Sequence, residues 1–156
     1  MKPRLMRLDR IFIRAPVYFV TANTAGRRTI LNRPAIHAAF LRFAGAGVAL
    51  DIWLARYVIM PDHLHLSVAC ADDGITLSGW MKSLKNSLSG KWREEGVPSP
   101  HWQKGFFDHL LRSDESASEK SSYVRENPVR AGLVARAEDW PYSGDVFEFD
   151  CRVERH

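Results

Sequence analysis

Two histidines separated by a single residue, His63 and His65, stand in the segment YVIMPDHLHLSVAC over 57–70. Alternate residues of a strand point to one face. In extended backbone these imidazoles therefore project side by side, while Leu64, Leu66 and Val68 point the other way. Neighbouring imidazoles supply two corners of a divalent-metal site, but the same pattern also fits the ordinary polar face of a half-buried strand. A third ligand and a reactive group on a neighbouring element would decide between them. The segment EKSSYVRENPVRAGLV over 119–134 carries both kinds of residue. Tyr123 and Asn127 lie four apart and share one face at the C-terminal end of a helix. The Asn127 amide oxygen is suited to a hard cation, and the Tyr123 phenol to nucleophilic attack. Sequence spacing alone does not bring this helix to the histidine strand, so a half-buried aromatic and a helix-end asparagine stay open as readings.

The framework around these residues can be read from hydrophobic periodicity and turn chemistry. APVYFVTANT (15–24) reads as a strand closed by the turn AGRR. RPAIHAAFLRFAGAG (33–47) places Ile36, Phe40 and Phe43 at helical spacing, with Pro34 in the first turn and Gly45 or Gly47 at the end. A strand over 49–60, a turn at Pro61-Asp62 and a returning strand over 63–70 make a hairpin, central in its sheet because both faces are apolar. Leu77, Trp80, Met81, Leu84, Leu88 and Trp92 form one stripe of a helix from Thr76 to Arg93, with Lys82, Lys85 and Lys91 largely off it. After the loop EEGVPSPH comes a strand over 106–112. Ser113 or Asp114 then caps a helix that ends near Glu126, because Pro128 disfavours helical geometry at Asn127. The order β-α-β-β-α-β-α predicts an α+β fold, an antiparallel sheet with helices packed on one face, ferredoxin-like or RRM-like.

Bulk properties narrow the function classes. At 156 residues, 46% hydrophobic and 26% charged, the chain reads as one domain over 1–156 with a short acidic tail from about 145, and wholesale disorder is excluded. Net charge is 22 − 18 = +4, with basic residues crowding MKPRLMRLDRIFIR and KSLKNSLSGKWR. A basic half fits a polyanion partner, nucleic acid before membrane. Arg4, Arg7, Arg10 and Arg14, with Lys82, Lys85 and Lys91, are the candidate phosphate contacts. Exposed aromatics could stack unpaired bases, but Trp80 and Trp92 read as core because they sit on the apolar stripe. Cys70 and Cys151 form no CxxC pair, and a reducing cytoplasm is the expected compartment. The N-terminus shows no signal-peptide core and no apolar run approaches a membrane span.

Three blocks in order, YVIMPDHLHLSV, HWQKGFFDHLLR and YVRENPVRAGLV followed by DWPYSG, resemble the REP-associated tyrosine transposases of the single-tyrosine HUH transposase superfamily. The resemblance covers roughly residues 10–144. It implies an RRM-like fold with His63 and His65 on a central strand as metal ligands, and Asn127 as a further ligand. Tyr123 matches the catalytic nucleophile. The implied cofactor is Mg²⁺ or Mn²⁺, and the substrate single-stranded DNA carrying hairpin, REP-like repeats. Cleavage would leave a covalent 5′-phosphotyrosine and a free 3′-OH, in DNA transposition or recombination by a nucleoid-associated monomer or homodimer. Trp102, Gln103 and Phe107 fall in the middle block, where they would shape the DNA or pack beneath it. A free phenol titrates near 10, so such a nucleophile needs activation at neutral pH. The covalent bond retains the phosphodiester energy, so rejoining needs no ATP. Two other functions fit the same residues: a hairpin-binding module without chemistry, and a metal-dependent hydrolase using water.

Overall fold

A computed structural model describes residues 10–12, 17–70, 76–111, 114–146 and 148–150. Arg10–Phe12 is a short strand, β1, and the aromatic and β-branched run Val17–Asn23 is β2. Helix α1 spans Pro34–Gly47 with its proline in the first turn, where the missing N–H has no intrahelical partner to lose. Strands β3 (Ile52–Ile59) and β4 (His63–Cys70) form the expected hairpin, closed by the Met60 N–H donating to the His63 carbonyl at 2.8 Å. Helix α2, Leu77–Glu94, starts at Thr76, whose hydroxyl accepts from the Gly79 N–H. Then come β5 (Phe107–Leu111), α3 (Asp114–Arg125), α4 (Asn127–Arg130), β6 (Ser143–Asp145) and β7 (Glu148–Asp150).

Two boundaries depart from the sequence reading. The strand expected from residue 49 begins at Ile52, because Val48–Leu50 form a 3-10 turn and Asp51 takes a φ of 57°. The helix expected to end before Pro128 does break, at Glu126, but α4 begins at once with Pro128 in its first turn. Proline is tolerated at that position, so here it marks a restart. Tyr123 and Asn127 accordingly sit on consecutive helices, not on one.

The sheet runs β5-β2-β4-β3-β6 with every neighbouring pair antiparallel, which makes β4 central. Strands β1 and β7 pair separately, in parallel. On one face Leu64, Leu66 and Val68 of β4 join Ile36 and Phe40 of α1 and Trp80, Met81, Leu84, Leu88 and Trp92 of α2 in the main core. Each large side chain withdrawn from water there stabilises by about 1.5–3 kcal/mol. Strand β3 has apolar residues in both parities because a bulge between Leu54 and Arg56 shifts its register. Ile52 and Leu54 before it, and Tyr57 and Ile59 after it, thus reach the same core. Gly47 allows the end of α1 to approach closely, since a Cβ there would meet Trp80 Nε1 at 3.1 Å and the Ile52 carbonyl at 3.3 Å.

The α+β antiparallel architecture is as expected, but the helices do not all lie on one face. Helices α1 and α2 cover the main core, whereas α3 lies across the opposite face. There Val124 joins Phe19, Val58, Met60 and Trp140 in a smaller apolar cluster, and Arg56 Nη1 donates to the Ser121 carbonyl at 3.0 Å. Helix α3 is mostly polar, so its periodicity carried little information about which face it would join. No helix among the described residues is long and apolar enough to cross a membrane.

Candidate active site

Alternation along β4 leaves His63 and His65 on the face opposite the main core, beneath α3. Their ring centroids are 4.8 Å apart and edge-to-face. His65 Nδ1 lies 2.9 Å from Oγ1 of Thr21, its cross-strand partner, and its ring stacks on Phe19 at 5.4 Å. His63 Nδ1 lies 2.8 Å from Asp62 Oδ1 and 3.4 Å from Arg27 Nη2. One nitrogen cannot both donate to the carboxylate and accept from the guanidinium. The shorter contact decides, and Nδ1 donates to Asp62. Both imidazoles thus have Nδ1 engaged, which leaves Nε2 for the cavity that both rings line.

Asp62 is held in turn. Arg27 Nε donates to its Oδ2 at 2.8 Å from a left-handed backbone, φ 54°. Partial burial alone would raise the Asp62 carboxyl, but the hydrogen bonds from Arg27 and His63 outweigh it and keep the group below its ordinary value. This pair is too exposed for its energy to matter much; its effect is to orient His63. Burial pushes His65 down to about 4, assisted by its neighbours His63, Lys120, Arg130 and Arg27. His65 is therefore neutral at neutral pH, the form that can donate a lone pair to a metal.

Helices α3 and α4 close the site from above. Tyr123 and Asn127 line a cavity of about 480 Å³ together with His63, His65, Phe19, Lys120 and Arg130. Tyr123 is 65% exposed. Arg130 places its guanidinium carbon 3.8 Å over the Tyr123 ring, donates to the Tyr123 carbonyl at 2.6 Å, and donates also to Asn127 Oδ1. Lys120 Nζ sits 4.9 Å over the Phe19 ring. Among the described residues no group of three His, Cys, Asp or Glu side chains could hold a metal ion. Two imidazoles and an amide oxygen form an incomplete set, chemically suited to a cation that takes its other oxygens from water and phosphate.

The other tyrosines are elsewhere. Tyr57 is buried with its hydroxyl 2.8 Å from His37 Nε2, Tyr142 packs edge-on against Trp140, and Tyr18 is partly buried against the main core. Of the residues expected to meet phosphates, Arg4, Arg7 and Arg14 lie outside the described residues, and Arg10 falls in β1. Lys82 and Lys91 belong to α2, on the far side of the sheet from the cavity, and Lys91 pairs with Glu94 at 3.1 Å. Lys85 donates to the Gln103 carbonyl at 3.0 Å and to the Gly105 carbonyl, so it holds a loop. Trp102 packs on Trp92, ring centroids 5.2 Å apart, and its indole N–H donates to the Lys85 carbonyl, whereas Gln103 is exposed and tied to β2 through its backbone. His101 is buried with both nitrogens engaged, by Ser89 and Val97.

Sequence reasoning passed over Arg130, Lys120, Asp62 and Thr21. Arg130 carried a signal, standing three residues after Asn127 and seven after Tyr123, the spacing of one helical face. Asp62 read only as a turn former. Thr21 is set by strand register, which no local pattern encodes.

No family model matches the chain. A protein of Haemophilus influenzae, provisionally named a REP-associated tyrosine transposase, is 31% identical over 110 residues, which are 62% of this chain and 59% of that protein. The REP-associated tyrosine transposase of Escherichia coli K12 is 25% identical over 136 residues, 86% of this chain and 79% of that one. The chain is thus similar to REP-associated tyrosine transposases of two bacteria. The match spans 59% of the length of the Haemophilus relative. Among solved structures, a REP-associated tyrosine transposase bound to a REP hairpin superposes with a TM-score of 0.69 at 22% identity, covering 88% of this chain and 81% of that one. A provisionally assigned transposase of Deinococcus radiodurans gives 0.53 at 16% identity, covering 78% and 97%. At such identities the likeness is one of fold, and that fold is the α+β sheet seen here.

Proposed function

We propose that the protein is a metal-dependent single-strand DNA endonuclease and strand transferase that cuts beside hairpin repeats through a covalent 5′-phosphotyrosine. One observation carries the reading. His63 and His65 from β4, and Tyr123 and Asn127 from α3 and α4, line one cavity although about sixty residues separate the two pairs. The transposase homologues support the same reading, as does the fold shared with a hairpin-bound relative.

His63 Nε2, His65 Nε2 and Asn127 Oδ1 would hold Mg²⁺ or Mn²⁺. Such an ion, when bound, polarises a non-bridging phosphate oxygen and eases departure of the 3′-oxygen. Tyr123 supplies the nucleophile: its phenolic oxygen bonds to phosphorus, the bond from phosphorus to the 3′-oxygen breaks, and the phenol's proton ends on the new 3′-OH. Asp62 and Thr21 hold the imidazoles in place, and Lys120 and Arg130 give the cavity the charge an anionic backbone needs. A 3′-OH presented later reverses the step. A cytoplasmic setting, where DNA is accessible, follows from this activity.

The test is incubation with a single-stranded hairpin oligonucleotide and Mn²⁺, followed by a denaturing gel. An adduct that disappears in Tyr123→Phe, with circular dichroism unchanged, is the expected result. Cleavage without an adduct would give the chemistry to water, and an adduct persisting in Tyr123→Phe would reassign the nucleophile.

A further inference from the structure

Among the described residues, the cavity is lined by two cations, Lys120 and Arg130, beside His63 and His65, and by no Asp or Glu. Asp62, next to His63 in sequence, is turned to Nδ1 of His63 and to Arg27. Arg130 is therefore unusual. Among the described residues no carboxylate pairs with it; its partners are a backbone carbonyl, the amide oxygen of Asn127 and the face of the Tyr123 ring. Both hydrogen bonds use Nη2 alone. A guanidinium carries five donors in a fork that matches two phosphate oxygens, so three-fifths of its donors have no described protein partner.

We propose that Arg130 is the residue that receives the scissile phosphodiester, exchanging its hold on Asn127 for the phosphate and so freeing the amide oxygen for the metal. This rests on the reading of Tyr123 as nucleophile. The geometry supports the exchange in two ways. A guanidinium lying 3.8 Å over the Tyr123 ring would hold a phosphate within a few ångströms of the phenol oxygen, the approach that attack requires. An amide oxygen engaged by a cation is also a poor donor to a second cation, whereas phosphate is a better partner for a guanidinium than a neutral amide. Arrival of the substrate would thus complete the ligand set and reduce the positive charge that opposes metal entry. Arg130 would act as a catalytic residue that contacts the reacting phosphate, not only as a brace for Tyr123.

The test needs no turnover. Hairpin oligonucleotides in which each flanking linkage in turn is an uncharged methylphosphonate are titrated, in chelator, against wild type, Arg130→Ala and Arg130→Gln. Arg130 is exposed, so both variants should fold, and Gln keeps an N–H for Asn127 while removing the charge. Wild type should lose about tenfold or more in affinity at one linkage, the loss expected for a charge-assisted hydrogen bond. Neither variant should lose affinity at that linkage, and it should be the one joined to Tyr123 in the wild-type adduct. Equal losses at every linkage in wild type and variants would assign Arg130 a bracing role and overturn the proposal, as would coupling to a linkage away from the cut. An adduct formed by wild type without any such coupling would overturn this proposal and leave the reading of Tyr123 standing. Absence of an adduct would instead fall on the reading of Tyr123.

Discussion

His65 should make the protein's stability depend on acid, and the structure sets the size of the effect. Burial first, and then neighbouring positive charge, lowers its folded value from 6.5 to about 4. A base whose folded value is depressed takes its proton in the unfolded chain first. Between pH 6.5 and about 4 the unfolded state binds the extra proton, so stability falls as pH falls through that window and levels off below it. At about 1.4 kcal/mol per pH unit the loss is at most about 3 kcal/mol, a large share of the roughly 5–15 kcal/mol typical of a domain. The assay is urea denaturation in chelator at several pH values across the window, wild type against His65→Asn. Other groups titrate there too, so the quantity to read is the difference between the two curves. His65→Asn should start less stable, having lost its stacking on Phe19, but should show a shallower acid slope by about that amount. Parallel curves would mean that His65 is not the group being protonated, and that its environment is more open than its packing implies.

Two further outcomes rest on the same geometry. Asp62→Ala removes the acceptor that fixes the His63 tautomer, and Mn²⁺ affinity measured by calorimetry should fall about 10–100-fold with the fold intact; an unchanged affinity would make the Asp62–His63 contact incidental. Phe107, 65% exposed on β5, pairs with Thr21, which pairs with His65, so all three share one sheet face. Phe107→Ala should weaken binding of an unpaired strand by about 1–3 kcal/mol through loss of base stacking, leaving hairpin-only DNA unaffected, and an equal loss for both DNAs would place Phe107 elsewhere on the path.

The readable parts of this chain were those encoded locally. The stripe of Trp80, Met81, Leu84, Leu88 and Trp92, the His63–Cys70 strand and the Pro61-Asp62 turn all appear as spacing, and all are found where spacing put them. What stayed hidden depended on register and on weakly amphipathic segments. Helix α3 commits to the site face through Val124 and one hydrogen bond from Arg56, too slight a signature to recognise in advance. Lysines off an apolar stripe look alike in sequence, yet Lys85 is held by the Gln103 and Gly105 carbonyls, because its fate depends on a loop eighteen residues away. Pro128 was legible as a break, but whether a break ends a helix or starts another depends on the residues beyond it. Here the Leu133 N–H closes back onto the Pro128 carbonyl, and Gly132 supplies the left-handed turn, φ 74°.

Strand β4 keeps its two duties on opposite parities: His63 and His65 face one way, and Leu64, Leu66 and Val68 the other. An engineer could therefore repack the even positions for thermal robustness, or exchange odd positions for other polar side chains, and each library would leave the other face nearly untouched. Length changes are the opposite case. Deleting one codon from the hairpin would send imidazoles into the oily layer and leucines into the cavity, because period-two side chains have no intermediate setting. Substitutions can drift gradually through such a strand, whereas a single in-frame indel should act as a null allele.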